Sequence, residues 1–333
     1  MINTNHKIVD RFGRVHDYLR ISLTERCNLR CFYCMPEEGI ALRDKAEFMS
    51  SEEVIEIAKK FVSLGVKKIR LTGGEPLIKK DAKNLLLNLG KLPVELAITT
   101  NAVLVDKFID IFKEAGIQSV NVSLDSLEEK SFNKISRRNY FNRIKSNIDL
   151  LIKHNFKVKV NVVIIRNLNE HEIPAFIKWS AKQPIDVRFI EFMPFDGNQW
   201  NWDKKVSYKE IITIAETTFG KSEIIRIKDK KNDTARNYKL NNGLGSFGVI
   251  SSVTNPFCDT CNRIRLTADG KLKNCLFSQS ETDLLTALRN KQPIEPLIKN
   301  AIFDKKKERG GTIDFKNNFE KHVKNRSMVS IGG

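Results

Sequence analysis

Long apolar runs are missing from this chain of 333 residues. No stretch approaches the roughly 18 apolar residues of a membrane-spanning helix, so a membrane protein is not expected. No charged-then-apolar leader occupies Met1 to Asp10, and a reducing, cytoplasmic location is expected. Proline is scarce, with nine residues, no low-complexity tract is visible, and 41% of the residues are hydrophobic. Such a chain can bury a substantial core. Histidine is also sparse: His6, His16, His154, His171 and His322 are scattered, and none stands at knuckle distance from a cysteine pair to complete a zinc site. The net charge of +17 would suit a nucleic-acid binder, yet no aromatic-interleaved stretch is present to read bases. The lysines are spread along the chain, as at Lys59-Lys60, Lys67-Lys68, Lys79-Lys80, Lys204-Lys205 and Lys305-Lys306-Lys307, and read mostly as solvated faces.

Cysteine is the rare residue that is organised. Six cysteines fall into two threes, Cys27, Cys31, Cys34 and Cys258, Cys261, Cys275, with none left over. An even count permits disulfides, but a chain of this size without an export signal has no need of them. Cys258-x2-Cys261 is half of a zinc pattern, and zinc is the more serious alternative for the second trio. Iron–sulfur cubanes are ordinarily held by four protein ligands, so a trio of thiolates leaves one metal position open for chemistry.

Through about residue 195, short β-branched runs alternate with amphipathic stretches, the pattern of a parallel sheet with crossover helices. The expected strands are Tyr18–Leu23, Lys68–Leu71, Glu95–Thr99, Ser119–Leu124, Lys157–Ile164 and Val187–Phe192. The clearest helix opens at Ser50, where Ser50 and Glu53 form a capping box, Val54, Ile57, Ala58 and Phe61 share a face, and Gly65 ends the run. Polar or glycine-bearing segments follow the strands: the first cysteine loop, Thr72-Gly73-Gly74-Glu75-Pro76, Thr99-Thr100-Asn101, Ser123-Leu124-Asp125, and Arg188 to Met193. Barrel-like α/β folds keep their active sites at those strand ends. Gly73-Gly74 alone would be an ordinary tight turn. The expected architecture is α/β, a partial (β/α)6 TIM-like barrel over 1–195, with a C-terminal extension over 196–333. That extension, with turns at Asn242-Gly243 and Asp269-Gly270, is expected to close the open end of the barrel and face the first cluster.

Cys27-x3-Cys31-x2-Cys34, with Tyr33 just before the last cysteine, resembles the radical S-adenosylmethionine (SAM) signature, and Gly73-Gly74-Glu75 resembles the GGE motif of the same superfamily. Cys258-Asp259-Thr260-Cys261-Asn262-Arg263-Ile264-Arg265, then Asp269-Gly270-Lys271 and Cys275, together with the terminal Gly332-Gly333, resembles the GTP 3′,8-cyclase family, which begins molybdenum-cofactor biosynthesis. Matching motifs run from Arg20 to Gly333. The resemblance implies a 4Fe-4S cluster on Cys27, Cys31 and Cys34, with SAM on its open iron and near Tyr33, Gly74, Ser123 and Met193. It implies a second 4Fe-4S cluster on Cys258, Cys261 and Cys275, facing GTP. It places Arg20, Arg70, Thr99, Lys159, Arg263 and Arg265 on the nucleotide, and Arg263, Arg265, Gly332 and Gly333 in catalysis. Taken alone, Arg70 and Lys159 read as ordinary surface charges on alternating strands, and a terminal Gly-Gly as a frayed end.

The implied reaction converts GTP to (8S)-3′,8-cyclo-7,8-dihydroguanosine 5′-triphosphate. A reduced first cluster cleaves SAM to methionine and a 5′-deoxyadenosyl radical, which takes hydrogen from C3′; the sugar radical attacks C8, and one further electron and a proton complete the product. Two electrons are consumed per turnover, so the resemblance also implies a reductant of flavodoxin or ferredoxin type. It further implies a homodimer and cyclic pyranopterin monophosphate synthase as the next enzyme. The competing readings are another radical SAM enzyme with an auxiliary cluster, such as a peptide maturase, and a zinc-stapled nucleic-acid module. One departure from the family stands at Ala102, where a glycine commonly follows Thr-Thr-Asn; if φ is positive there, alanine costs about 1 kcal/mol.

Overall fold

The computed structural model describes residues 7–35, 38–40, 43–312 and 325–332. Its frame is one mixed sheet of twelve strands in the order β12-β11-β10-β1-β2-β3-β4-β5-β6-β9-β8-β7. The first six strands are Tyr18–Ser22 (β1), Lys68–Thr72 (β2), Glu95–Thr100 (β3), Ser119–Ser123 (β4), Lys157–Ile164 (β5) and Ile185–Glu191 (β6). They lie side by side, all parallel and in chain order. All six expected strands are present, five within one residue at each end; β6 starts two residues before Val187 because Ile185 is already buried in the sheet.

Parallel strands need long crossovers, and helices supply them. Ser51–Ser63 (α1), Ala82–Gly90 (α2), Ile109–Glu114 (α3), Glu129–Ser136 (α4), Phe141–Lys153 (α5) and Ile173–Lys182 (α6) connect consecutive strands. In α1 the Ser50–Glu53 capping box forms, Val54, Ile57, Ala58 and Phe61 are buried, and Gly65 follows the cap with φ of 92°. The apolar face of the sheet, from Leu19 and Ile21 through Ile69, Leu71, Val120, Val122, Val160 and Phe189, packs on these helices in one core.

Parallel sheets are usually apolar on both faces. Here the opposite face carries Arg20, Arg70, Thr99, Asn121, Lys159, Asn161 and Arg188, the alternate positions of β1 to β6. A polar face in a central parallel sheet has to be answered by something other than a layer of apolar helices.

The chain beyond residue 195 does not form a separate sheet. It holds Tyr208–Phe219 (α7), Ile224–Arg226 (β7), Arg236–Leu240 (β8), Ser246–Ile250 (β9), Arg263–Leu266 (β10), Lys271–Lys273 (β11), Thr282–Asp283 (β12), Leu284–Arg289 (α8), Ile294–Phe303 (α9) and Met328–Ile331 (α10). Strand β9 adds to β6 in parallel, and β10 adds to β1 in parallel. The later half therefore borders the six-stranded set on both sides. The expected turns are there: Asn242 has φ of 57° between β8 and β9, and Gly270, with φ of 70°, turns the chain between β10 and β11. One lysine run needs correction. Lys306 and Lys307 are exposed as expected, but Lys305 is 2% exposed, because the chain leaving α9 turns its side chain inward beneath Cys261.

Candidate active site

Two cavities open at the polar face. The first is lined by Cys27, Cys31, Cys34, Tyr33, Thr72, Gly73, Gly74, Thr99, Asn101, Ser123, Asp125 and Met193, among others. The second is lined by Cys258, Cys261, Cys275, Arg20, Asn121, Arg188, Arg263, Arg265 and their neighbours. Asn161, Ile190, Met193 and Met328 border both, so the cavities adjoin.

The first cysteine loop runs directly out of β1. It is tied to the end of α4 by Arg30 N–H to Ser136 O (2.9 Å) and Phe32 N–H to Ile135 O (3.2 Å), and Cys34 N–H closes a turn on Cys31 O (2.9 Å). Tyr33 donates its hydroxyl to Asp125 Oδ2 (2.6 Å), and Val163 N–H donates to the other carboxylate oxygen (2.8 Å), so the β4 and β5 ends grip the loop. The glycine pair packs against the stretch that leads into Cys27: a Cβ on Gly74 would lie 2.2 Å from Arg26 O, and one on Gly73 2.7 Å from Thr24 O. Close approach is the reason for glycine, and here the partner that demands it is the cysteine loop's own backbone.

Glu75 links the second strand end to the third. Fully buried, it accepts from Thr100 Oγ1 (2.8 Å) and Asn101 N–H (2.7 Å), and Asn101 Nδ2 reaches Cys27 Sγ at 3.7 Å. Burial pushes Glu75 up to about 7. Ala102 has φ of 62°, the positive value suspected from its sequence context, and is held there by Thr100 Oγ1 on its N–H (3.0 Å) and Asn147 Nδ2 on its carbonyl (2.7 Å). Burial also raises all three thiols of this trio, Cys34 to about 12 and Cys27 to about 11, with Glu75 adding to the latter.

The second trio lies in a cationic setting. Burial raises Cys258, and although burial also opposes ionisation of Cys261, the charges of Arg263 and Lys305 bring that thiol down to about 6. Strand register sets the arginines in rows: Arg265 of β10, Arg20 of β1 and Arg70 of β2 are direct cross-strand neighbours. Like charges side by side in a sheet repel. Among the described residues, the Nε atoms of Arg20, Arg188 and Arg265 are buried without a hydrogen-bond acceptor. Burial, then Arg20, brings Arg265 down to about 9, and burial with Arg70 lowers Arg188. Buried guanidinium nitrogens left without acceptors are costly, and a polyanion arriving in the cavity would relieve the cost.

Not every expected nucleotide residue lines this second cavity. Arg20, Arg263 and Arg265 do; Thr99 lines the first. Arg70 donates Nε to Tyr18 Oη (2.6 Å) and Nη1 to Ile98 O (2.8 Å), and Lys159 pairs with Asp186 across the strands (2.9 Å), so both use protein partners. Tyr33, Gly74, Ser123 and Met193 all line the first cavity. Gly332, with φ of 84°, sits so close to the ends of β1 and β2 that a Cβ would meet Thr72 Oγ1 at 2.7 Å and Ser22 Cβ at 2.8 Å. The tail is anchored there by Arg326, which donates to both oxygens of Asp269 (2.9 and 2.9 Å) and to Glu281 (2.7 Å). Gly333, His6 and His322 lie outside the described residues. From the sequence, Asp125 and Arg188 stood out only within the polar segments at the strand ends, and Asn121 and Asn161 did not; their signal was position, each being an inward residue or strand-end residue of a strand already located.

A single tetrahedral zinc with Zn–S near 2.3 Å needs its sulfurs within about 4 Å of one another. Among the described residues, the one trio of ligand atoms drawn within 4.8 Å is Glu128, His171 and Glu172, and neither cysteine trio is that tight. A four-iron cube holds its ligand sulfurs farther apart than a single metal ion does, so it does not require that closeness of either trio.

The sheet and the first cysteine loop thus define a radical SAM α/β protein. Residues 21–180 match the model of the Radical SAM superfamily, and residues 185–310 match that of Molybdenum Cofactor Synthesis C. The chain is 44% identical over 332 residues to a mitochondrial GTP 3′,8-cyclase of Arabidopsis thaliana, covering 98% of this chain and 83% of that one. It is 38% identical over 329 residues to GTP 3′,8-cyclase of Alkaliphilus oremlandii, covering 97% and 99%. It spans about half the length of the relatives called molybdenum cofactor biosynthesis protein 1 in mouse and human. A crystal structure of Streptococcus suis SuiB bound to S-adenosylmethionine shares the fold, with a TM-score of 0.61 and 16% identity over 88% of this chain and 69% of that one. The chain belongs to the GTP 3′,8-cyclase family.

Proposed function

We propose that this chain converts GTP to (8S)-3′,8-cyclo-7,8-dihydroguanosine 5′-triphosphate, with SAM and two 4Fe-4S clusters as cofactors. The observation that carries the reading is the junction of the two cavities at Asn161, Ile190, Met193 and Met328, with a cysteine trio on each side and unanswered arginines on one.

Cys27, Cys31 and Cys34 would hold the first cluster, and Cys258, Cys261 and Cys275 the second. When bound, the first cluster and SAM supply an electron and a carbon-centred radical. The chain supplies the rest. Tyr33, Gly74, Ser123 and Met193 border the SAM side, where the Tyr33–Asp125 hydrogen bond fixes the cysteine loop against β4. Arg20, Arg188, Arg263 and Arg265 receive the triphosphate, whose charge offsets their mutual repulsion. Arg70 and Lys159 stand behind them, adding positive potential. Met328 and Gly332 bring the tail over the junction and exclude water. Holding two reactants in attack geometry can contribute roughly 7–11 kcal/mol, which is the protein's main task here.

The six parallel strands β1 to β6 are read as a partial barrel, with 1–195 as the radical SAM barrel carrying the first cluster and 196–333 as the C-terminal extension carrying the second cluster and the Gly-Gly tail. On the strength of the family likeness, we further read the chain as a homodimer that draws electrons from a flavodoxin- or ferredoxin-type protein and passes product to cyclic pyranopterin monophosphate synthase. Free thiolates suit a reducing compartment such as the cytoplasm; no helix among the described residues is long and apolar enough to cross a membrane. The test is anaerobic reconstitution with iron and sulfide, then SAM, dithionite and GTP. The expected products are methionine, 5′-deoxyadenosine and a cyclised nucleotide isomeric with GTP and of unchanged mass, the two electrons and one proton being balanced by the reductive cleavage of SAM; SAM cleavage indifferent to GTP, with no new nucleotide, would refute it.

A further inference from the structure

The turn after α9 reaches the second cysteine trio twice. Arg309 N–H donates to Cys258 Sγ at 3.4 Å, and Lys305 Nζ donates to Cys261 Sγ at 3.3 Å and to Arg263 O at 2.9 Å. The turn is pinned from its far side by Arg14, which donates to Cys258 O (2.8 Å), Lys307 O (2.7 Å) and Lys306 O (2.9 Å), and is itself fixed by Asp10 (2.6 Å). Lys305 is 2% exposed, and among the described residues no carboxylate pairs with it. A buried ammonium needs a counter-charge. Among the described residues, the Cys261 sulfur lies within hydrogen-bond reach of its Nζ, with Cys275 acting on it at longer range, and a thiol is ionised when it ligates metal.

Resting on the function proposed above, we propose that Lys305 is a positioning residue of the second iron–sulfur site: its ammonium donates to the Cys261 thiolate, raises the reduction potential of the cluster held there, and slows loss of its iron. Hydrogen bonds to ligand sulfurs and added positive charge both stabilise the reduced, more negative cluster, and such outer contacts also hold ligands in place. Among the described residues, the donors to the Cys27 sulfur of the first trio are neutral, Leu29 N–H and Asn101 Nδ2.

The test compares the reconstituted full chain with Lys305→Met and Lys305→Arg, each read in two ways that do not depend on turnover. In an EPR-monitored redox titration, Lys305→Met lowers the midpoint of the second cluster and leaves that of the first in place, while Lys305→Arg recovers most of the difference. In a chelator challenge, Lys305→Met releases iron from the second site roughly 10- to 100-fold faster, again with the first site unchanged. Unchanged midpoint and unchanged release overturn the inference. Equal losses at both sites also overturn it, because they mark a role in the fold at large. A wild-type chain that takes up only one cluster would instead overturn the functional reading beneath it.

Discussion

The two cysteine trios differ less in number than in neighbourhood. The first is surrounded by apolar side chains and two buried carboxylates, Glu75 and Asp125, and burial drives its thiols upward. The second lies among Arg263, Arg265 and Lys305, and Cys261 is drawn down to about 6 against the effect of burial. Negative charge is therefore disfavoured at one site and welcomed at the other. Under the function proposed above, a cluster in the first setting would resist reduction and be a strong reductant once reduced, which suits cleavage of SAM, and one in the second would face an anionic nucleotide. One sheet gives two opposite electrostatic settings across a shared junction.

The sharpest way to separate the two is to remove one thiolate from each. Cys31→Ala is expected to abolish SAM cleavage with dithionite, a loss of at least about 10³-fold. Cys275→Ala keeps the first cluster and its SAM cleavage but gives no cyclised nucleotide. Equal behaviour of the two variants would erase the distinction.

Next in size are the cations of the second cavity. Arg188→Met and Arg265→Met each lose a charge-assisted hydrogen bond worth about 1.5–3 kcal/mol, so the KM for GTP should rise roughly 10- to 150-fold while basal SAM cleavage holds. A third variant probes the first loop: Gly74→Ala puts a Cβ 2.2 Å from Arg26 O. Overpacking of this kind costs about 1–3 kcal/mol. Thermal melting should show that loss, and iron uptake should fall at the first trio before the second.

The smallest effect concerns the segment from Asp10 to His16, whose Arg14 holds the turn beside the second site. His16 is buried and donates Nε2–H to the Asp10 carboxylate (3.0 Å); burial, with Lys305 nearby, brings it down to about 4. Its folded-state value lies below the unfolded 6.5, so its contribution is complete above about 6.5 and is lost as pH falls toward about 4. Asp10 is lowered too and acts in the same direction. Melting temperature followed from pH 7 to pH 4 should fall, and should fall less steeply in His16→Gln.

Much of this was legible in the amino-acid order, and what was not has a common cause. Strands β1 to β6 declare themselves because apolar residues alternate on the helix side; Lys157–Ile164 matches to the residue. The cysteines are legible because their spacing is local. Pairings of β9 with β6 and of β10 with β1 are not, since they join segments about sixty and 245 residues apart, and local periodicity carries no record of a distant partner. Strand β10, Arg-Ile-Arg-Leu, looks half-solvated yet is buried throughout, because its arginines face the cavity. Arg188 escaped for the same reason, and Lys305 was hidden in a three-lysine run whose other two members are in water.

The most direct measurement follows one hydrogen. GTP deuterated at C3′ is incubated anaerobically with the reconstituted chain, SAM and dithionite, and 5′-deoxyadenosine is analysed by mass spectrometry. Deuterium in 5′-deoxyadenosine, with a matching loss from the nucleotide product, is the expected result, since the radical made beside the first trio must reach the ribose held beside the second. Abundant 5′-deoxyadenosine free of deuterium would contradict the shared junction and leave the two cavities without a common reaction.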